Sequence, residues 1–172
     1  MPLGFKECLA FAWQPGRDGQ GYHVTPGDRG GPTSWGCTEP VWAKFAKDTG
    51  RSATLATASK GDISACLYSE IWMPAGSGLP SPANLLVFDF AMTSAPWRSV
   101  DILQGILHVK IDSQVGQFTI DAAQGFDPAA LCTALHAAHR DFYASISGAE
   151  HEGGWFTRND AALAVALAAL AA

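Results

Sequence analysis

Two aspartates, Asp18 and Asp28, and the hydroxyl of Thr33 stand in one glycine- and proline-rich stretch, residues 18–38, together with Tyr22, His23 and Trp35. Carboxyl groups near one another can divide the work of a proton-transfer reaction, one donating a proton while the other stabilises positive charge or orients a water. An imidazole adds a group that titrates near neutrality, and aromatic faces offer flat apolar surfaces to a ring-shaped ligand. The stretch is poor core material but suits a cleft. Glycine lets the backbone approach a ligand, and loops on a rigid scaffold are where binding and catalytic groups gather. Each residue also has a plainer use: aspartate beside glycine is an ordinary turn former, a lone loop histidine is commonly just solvated, and Trp35 suits packing on the core.

The elements that must hold this loop read almost entirely as helices. Leu3, Phe5, Cys8, Leu9 and Phe11 mark an amphipathic helix over 3–13 that stops at Pro15-Gly16. Thr38 reads as the N-cap of a helix with Pro40 in its first turn, ending at Gly50. A short helix is expected over 53–59, and Asp62 is expected to cap a helix containing Ile63, Cys66, Leu67, Ile71 and Trp72. Prolines and glycines make 73–82 a loop. Residues 83–95 are apolar nearly all round, the mark of a central helix buried on most faces, and Asp89 inside it needs a hydrogen-bonding partner. Helices over 97–107 and 119–123 follow, with a turn over 109–117 between them. Asp127-Pro128 then starts a long helix, 148–155 reads as loop, and a last helix begins near Thr157. The one strand expectation is a short ribbon within 22–37, so the fold class is all-α: a helical bundle with a glycine- and proline-rich loop or short β-ribbon near 18–38.

Bulk properties exclude several functions. A chain of 172 residues supports one sizeable core, and 48% hydrophobic with 16% charged residues describes a globular protein. The net charge of −5 and the absence of a basic stripe argue against nucleic acid. No apolar run reaches the roughly 18–20 residues of a membrane span, 161–172 reads as a terminal helix docking on the core, and 1–13 lacks the features of a secretory signal. Cys8, Cys37, Cys66 and Cys132 lack metal-site spacing; buried free thiols are expected, one or two disulfides being the alternative. His136 and His139 are the one close histidine pair, and neither a metal nor another cofactor is expected. No Gly-x-Ser-x-Gly turn or phosphate-cradling glycine loop is present.

Residues 22–38, with Asp28-Arg29-Gly30-Gly31-Pro32-Thr33 and Trp35-Gly36-Cys37-Thr38, resemble the signature of the glycosyl hydrolase 108 family of phage endolysins and muramidases. In that family Glu-Gly-Gly-Tyr precedes Asp-x-Gly-Gly-x-Thr, and Gly-Ile-Thr follows an aromatic or polar residue. Val87-Phe88-Asp89-Phe90-Ala91 and Leu103-Gln104 are similar to the family's middle helices. Ile111-Asp112, Gly116, Thr119, Arg140, Phe142-Tyr143, Gly154-Trp155 and Arg158 resemble its predicted peptidoglycan-binding segment. The resemblance implies a lysozyme-like fold in one unit over 1–172, with a catalytic-type lobe over 1–95 and a peptidoglycan-binding-type lobe over 96–172.

The activity so implied is cleavage of the glycan strand of peptidoglycan, the glutamate of Glu-Gly-Gly-Tyr being the proton donor. Here the sequence departs: counting back from Tyr22 puts Gly19 at the glutamate's position, and one inserted residue puts Asp18 there. Glycosidic cleavage needs a carboxylic acid at the leaving oxygen and a second group for the oxocarbenium-like state or the water. Asp18 is therefore the candidate acid, one methylene shorter than glutamate. Asp28 and Thr33 are candidates for ordering water, and Tyr22, His23 and Trp35 for holding substrate. Asp89 is assigned a structural role, and Glu152-Gly153-Gly154-Trp155 only imitates the signature. The implied setting is a phage endolysin or virion-borne lysin, with peptidoglycan and possible tail or baseplate proteins as partners. Delivery would run from the virion, or from the host cytoplasm with a holin. The alternative is a lysozyme-like module without its acid, binding the wall or serving as a structural tail or baseplate part.

Overall fold

The computed structural model describes residues 2–25, 30–146 and 152–172, so Asp28 lies outside the described residues. Helix α1 (Phe5–Ala12) starts where the Glu7 carboxylate accepts the Gly4 amide at 2.9 Å, and it buries Cys8, Leu9, Phe11 and Ala12. The expected ribbon follows: β1 (Thr33–Ser34) runs antiparallel to β2 (Cys37–Thr38), Thr33 opposite Thr38 and Ser34 opposite Cys37. Its two-residue turn, Trp35-Gly36, has positive φ at both positions, 49° and 79°, the geometry that closes a tight hairpin. His23 extends the ribbon, exchanging backbone hydrogen bonds with Thr33 at 2.9 and 3.0 Å.

Helix α2 (Glu39–Thr49) begins after Thr38 at the N-cap position, whose side chain makes no capping hydrogen bond, and ends at Gly50 in the left-handed conformation, at the positions its sequence signals predict. A 3₁₀ turn (Leu55–Thr57) leads to α3 (Lys60–Leu67). The N-cap of α3 is Ser59, not the expected Asp62. Ser59 Oγ accepts the Asp62 amide at 3.1 Å, while the Asp62 carboxylate accepts the Ser59 hydroxyl at 2.6 Å, so the aspartate fills the third helical position of a reciprocal cap.

The loop expected over 73–82 begins late, because Tyr68–Gly76 continues α3 as a π-helical run with Pro74 inside it. The wide spacing shows in the Ser77 amide bonding the Trp72 carbonyl at 2.9 Å, five residues back. Burial of Ile71, Trp72 and Ala75 keeps the segment on the core despite its proline. Core packing outweighs the local breaker signal there.

Helix α4 (Ala83–Thr93) is the axis of the molecule: every residue from Ala83 to Ala91 is buried. Phe88 meets Phe5 and Trp72 at ring separations of 6.0 and 5.7 Å. Around α4 pack α1, α5 (Pro96–Ile106), α7 (Pro128–Ile146) and α8 (Glu152–Ala171), and α6 (Gln117–Gly125) is tied to α5 by the Gln104–Thr119 hydrogen bond. Asp127 caps α7 through the Ala130 amide at 2.7 Å, as its Asp-Pro signal predicts. The turn before α6 is organised by Gln104, whose side chain donates to Asp112, the Gln114 carbonyl and Thr119 and accepts the amides of Asp112 and Ser113. Helix α8 starts at Glu152, five residues before the expected Thr157, so the predicted loop over 148–155 is overturned where it is described. Trp155 stacks on Tyr143 at 5.3 Å and Arg158 is drawn into the core, contacts that offset the low helix propensity of Gly153 and Gly154.

The four cysteines are buried and unbridged. Burial pushes the Cys8 thiol up to about 12 and Cys132 up to about 11, which keeps them protonated and inert. Cys37 and Cys66 sulfurs lie 3.5 Å apart. Among the described residues no helix is long and apolar enough to cross a membrane, and no cluster of His, Cys, Asp and Glu is arranged to hold a metal ion.

His139 of α7 is 1% exposed and stacks flat on Phe90 of α4, ring centroids 4.0 Å apart. Burial pulls its pKa down to about 3, while an unfolded-chain histidine takes a proton near ~6.5. Stability from this neutral ring is therefore full above the unfolded pKa and declines as pH falls toward the folded one. Urea unfolding at pH 7 and pH 5 is expected to show the native chain losing about 2 kcal/mol more than His139→Phe between the two pH values. Equal losses would remove the assignment.

Candidate active site

The cleft loop leaves α1 through a tight set of backbone contacts. The Asp18 amide donates to the Ala12 carbonyl at 2.9 Å, and the Trp35 amide donates to the Gln20 carbonyl at 2.8 Å. Trp13 Nε1 donates to the Trp35 carbonyl at 2.8 Å. These bonds dock the loop against the tip of the ribbon and set Asp18 beside Gly36. A Cβ on Gly36 would stand 2.9 Å from both Cβ and Cγ of Asp18 and 2.6 Å from Met92 Cε, so only glycine leaves room for the carboxylate there.

Asp18 meets a cation from the far end of the chain. Arg158 of α8, 8% exposed, places Nη2 2.7 Å from Asp18 Oδ2. The same guanidinium grips Asp89 of α4: Nε donates to Oδ1 and Oδ2 at 2.9 and 3.1 Å, and Nη2 donates to Oδ1 at 2.7 Å. Burial works against the Arg158 charge, but Asp89 and then Asp18 outweigh it and push the guanidinium above its ordinary pKa. Burial also pushes the Asp89 carboxyl up, and Arg158 opposes that push. The guanidinium itself does not deprotonate, so the cation persists in this setting.

The two carboxylates are not equivalent. Asp89 is saturated by aligned donors and its side chain is 5% exposed. Asp18 is 23% exposed, and its buried Oδ2 receives charge from Arg158 but no aligned hydrogen bond. A second cation, Arg17, turns away to the Phe11 carbonyl and Gln14 Oε1 at 2.8 and 2.9 Å, 3.7 Å over the Phe11 ring. Residues 14–17, with Gly154, Thr157 and Arg158, line a cleft of about 370 Å³ beside this cluster.

The remaining loop candidates split into groups. His23 and Thr33 are brought together by the backbone bridge, but their side chains bond locally, His23 Nδ1 to the Gly21 carbonyl at 2.8 Å and Thr33 Oγ1 to the Gly31 carbonyl at 3.1 Å. Tyr22 is exposed. Trp35 packs on Trp13 with ring centroids 5.6 Å apart, and Lys60 Nζ covers its ring at 3.9 Å, so one of its faces is occupied. A larger hollow of about 470 Å³ lies away from this loop, among Gln104, Lys110, Asp112, Gln114, Phe118 and Thr119, with Phe118 87% exposed at its edge.

Sequence reasoning missed the part played by Arg158, although both halves of the signal were present. An aspartate in an apolar helix needs a partner, and an arginine leading an alanine-rich helix needs one too.

The fold is mainly α and lysozyme-like, and residues 16–94, which hold the cleft loop and all of α4, match the model of the family described as Glycosyl hydrolase 108. Among solved structures the chain is similar to SagA of Brucella abortus, at 25% identity over 95% of this chain and 94% of that one, with a TM-score of 0.82. No curated protein matches the chain. The family match supports a glycoside hydrolase.

Gly36 supplies a direct check on the geometry. Gly36→Ala is expected to lower unfolding stability in urea by about 1–3 kcal/mol, through positive φ and the collision with Asp18 and Met92. Gly31→Ala, at φ 66° with open space around it, is the control and costs less. Equal costs at the two positions would contradict the close packing of Asp18.

Proposed function

We propose that the protein is a peptidoglycan glycosidase in which Asp18 delivers a proton to the leaving oxygen of the glycan strand. The observation that carries this is the setting of Asp18, a partly exposed carboxylate at the cleft loop inside a cluster of two carboxylates on one guanidinium. Asp89 takes the aligned donors and is buried, so Asp18 is the member with access to a ligand. As the bond breaks, positive charge develops on the sugar ring, and the second requirement is a group that orders water or stabilises that charge. We assign this to Asp28 and Thr33 from their sequence positions. Tyr22 offers an exposed ring to a sugar face. His23, whose Nδ1 is turned to the Gly21 carbonyl, is assigned to hold substrate beside Tyr22. Trp35, half-covered by Lys60, contributes more to the wall than to stacking.

The hollow beside Phe118 falls in the part of the chain that resembles a peptidoglycan-binding segment, and its exposed aromatic edge suits a sugar ring. A place among phage endolysins or virion-borne lysins rests on sequence resemblance alone.

One observation favours a second reading. A carboxylate touching a buried arginine is also what a purely structural aspartate does, and this chain has no glutamate at the signature position. On that reading the protein binds the wall without cutting it. Clearing of permeabilised Gram-negative cells in a zymogram, with co-sedimentation on purified peptidoglycan, separates the two. The native chain is expected to clear, and Asp18→Asn to lose about 100-fold or more in rate while still sedimenting. Sedimentation without muropeptide release by the native chain would overturn the enzymatic reading, and equal clearing by both proteins would remove Asp18.

A further inference from the structure

Arg158 lies on α8, well beyond residues 16–94, yet its guanidinium reaches the carboxylate of the cleft loop. We propose that Arg158 is the positioning residue for Asp18: anchored on Asp89, it fixes the carboxylate at the cleft, so that α8 completes the site that the first half of the chain begins. This rests on the reading of Asp18 as the proton donor.

Three features carry the inference. The grip of Arg158 is unequal: three aligned hydrogen bonds go to Asp89 and a single charge contact goes to Asp18. Such a division makes Asp89 the anchor and Asp18 the group being held. Next, Asp18 Oδ2 is buried, and among the described residues the Arg158 guanidinium is the polar group facing it, so the placement of this oxygen depends on that cation. Finally, Gly36 and Met92 close the side facing the ribbon and α4, so the cation controls the remaining freedom of the side chain. Aspartate is one methylene shorter than glutamate, and a short acid depends more on being held at the right distance. The residues from 96 onward are then a working part of the catalytic unit, beyond any role in holding the wall.

The test compares the full native chain with Arg158→Lys and with the double variant Asp89→Leu, Arg158→Met. Replacing both members of a buried pair by apolar residues of similar size preserves folding better than removing one, and thermal melts with far-UV circular dichroism check this. Initial rates of reducing-end release from purified peptidoglycan give kcat and KM. The folded double variant is expected to lose about 100-fold in kcat with little change in KM, the effect of a misplaced reacting group, and Arg158→Lys to recover part of the loss. Amide hydrogen exchange at residues 16–22 provides a readout independent of activity. It is expected to quicken about tenfold in the double variant, while exchange in α2 stays as in the native chain. A folded double variant with native kcat, or with unchanged exchange over 16–22, would overturn the proposal. A native chain that releases nothing while exchange over 16–22 still responds would overturn only the glycosidase reading.

Discussion

A guanidinium buried between two carboxylates is the constraint on which the rest of this structure depends. Arg158 is almost wholly withdrawn from water, and an isolated cation in that position is costly to bury. Its charge is tolerated because Asp89 and Asp18 face it from α4 and from the cleft loop. The three groups come from the middle, the end and the beginning of the chain, so they join only when the chain has folded around α4. The ionic cluster therefore specifies one arrangement of three segments, whereas the apolar packing around it is less selective.

The helices supply what the cluster cannot. Phe88 of α4 is sealed by Phe5 of α1 and Trp72 of the π-helical run that follows α3, Leu85 and Leu86 are fully buried, and Phe90 is covered by His139 of α7. This apolar frame excludes water around Arg158, and a drier surrounding strengthens each charge contact. The ribbon has a narrower task. Its tip at Trp35-Gly36 brings backbone close to Asp18, and the Trp13–Trp35–Lys60 stack holds that tip against the body. The cleft loop is thus fixed from the ribbon by shape and from α8 by charge.

Much of this was legible in the sequence because it is written locally. Thr38 with Pro40 and Gly50, and Asp127 with Pro128, announce helix ends through contacts only a few residues long, and the ribbon within 22–37 follows from turn residues between strand formers. Two of the misses share one cause. Pro74 inside the π-helical run, and Gly153 and Gly154 inside α8, are local breakers overruled by packing that no window of sequence contains. Ser59 stands at the cap in place of Asp62 because these two residues, three apart, share one reciprocal motif. At the site, residue type and spacing singled out Asp18, Thr33, Tyr22, His23 and Trp35 as candidates. The partnership of Asp18 with Arg158 was not, since it spans almost the whole chain.

The sharing of one cation by two carboxylates can be measured through a double-mutant cycle in urea unfolding with Asp18→Asn, Asp89→Asn and both together. Either single substitution leaves Arg158 one charged partner, whereas the pair strands it. The double variant is therefore expected to lose about 1–3 kcal/mol more than the sum of the two single losses. Strict additivity would contradict the shared cluster and, with it, the link between α8 and the cleft.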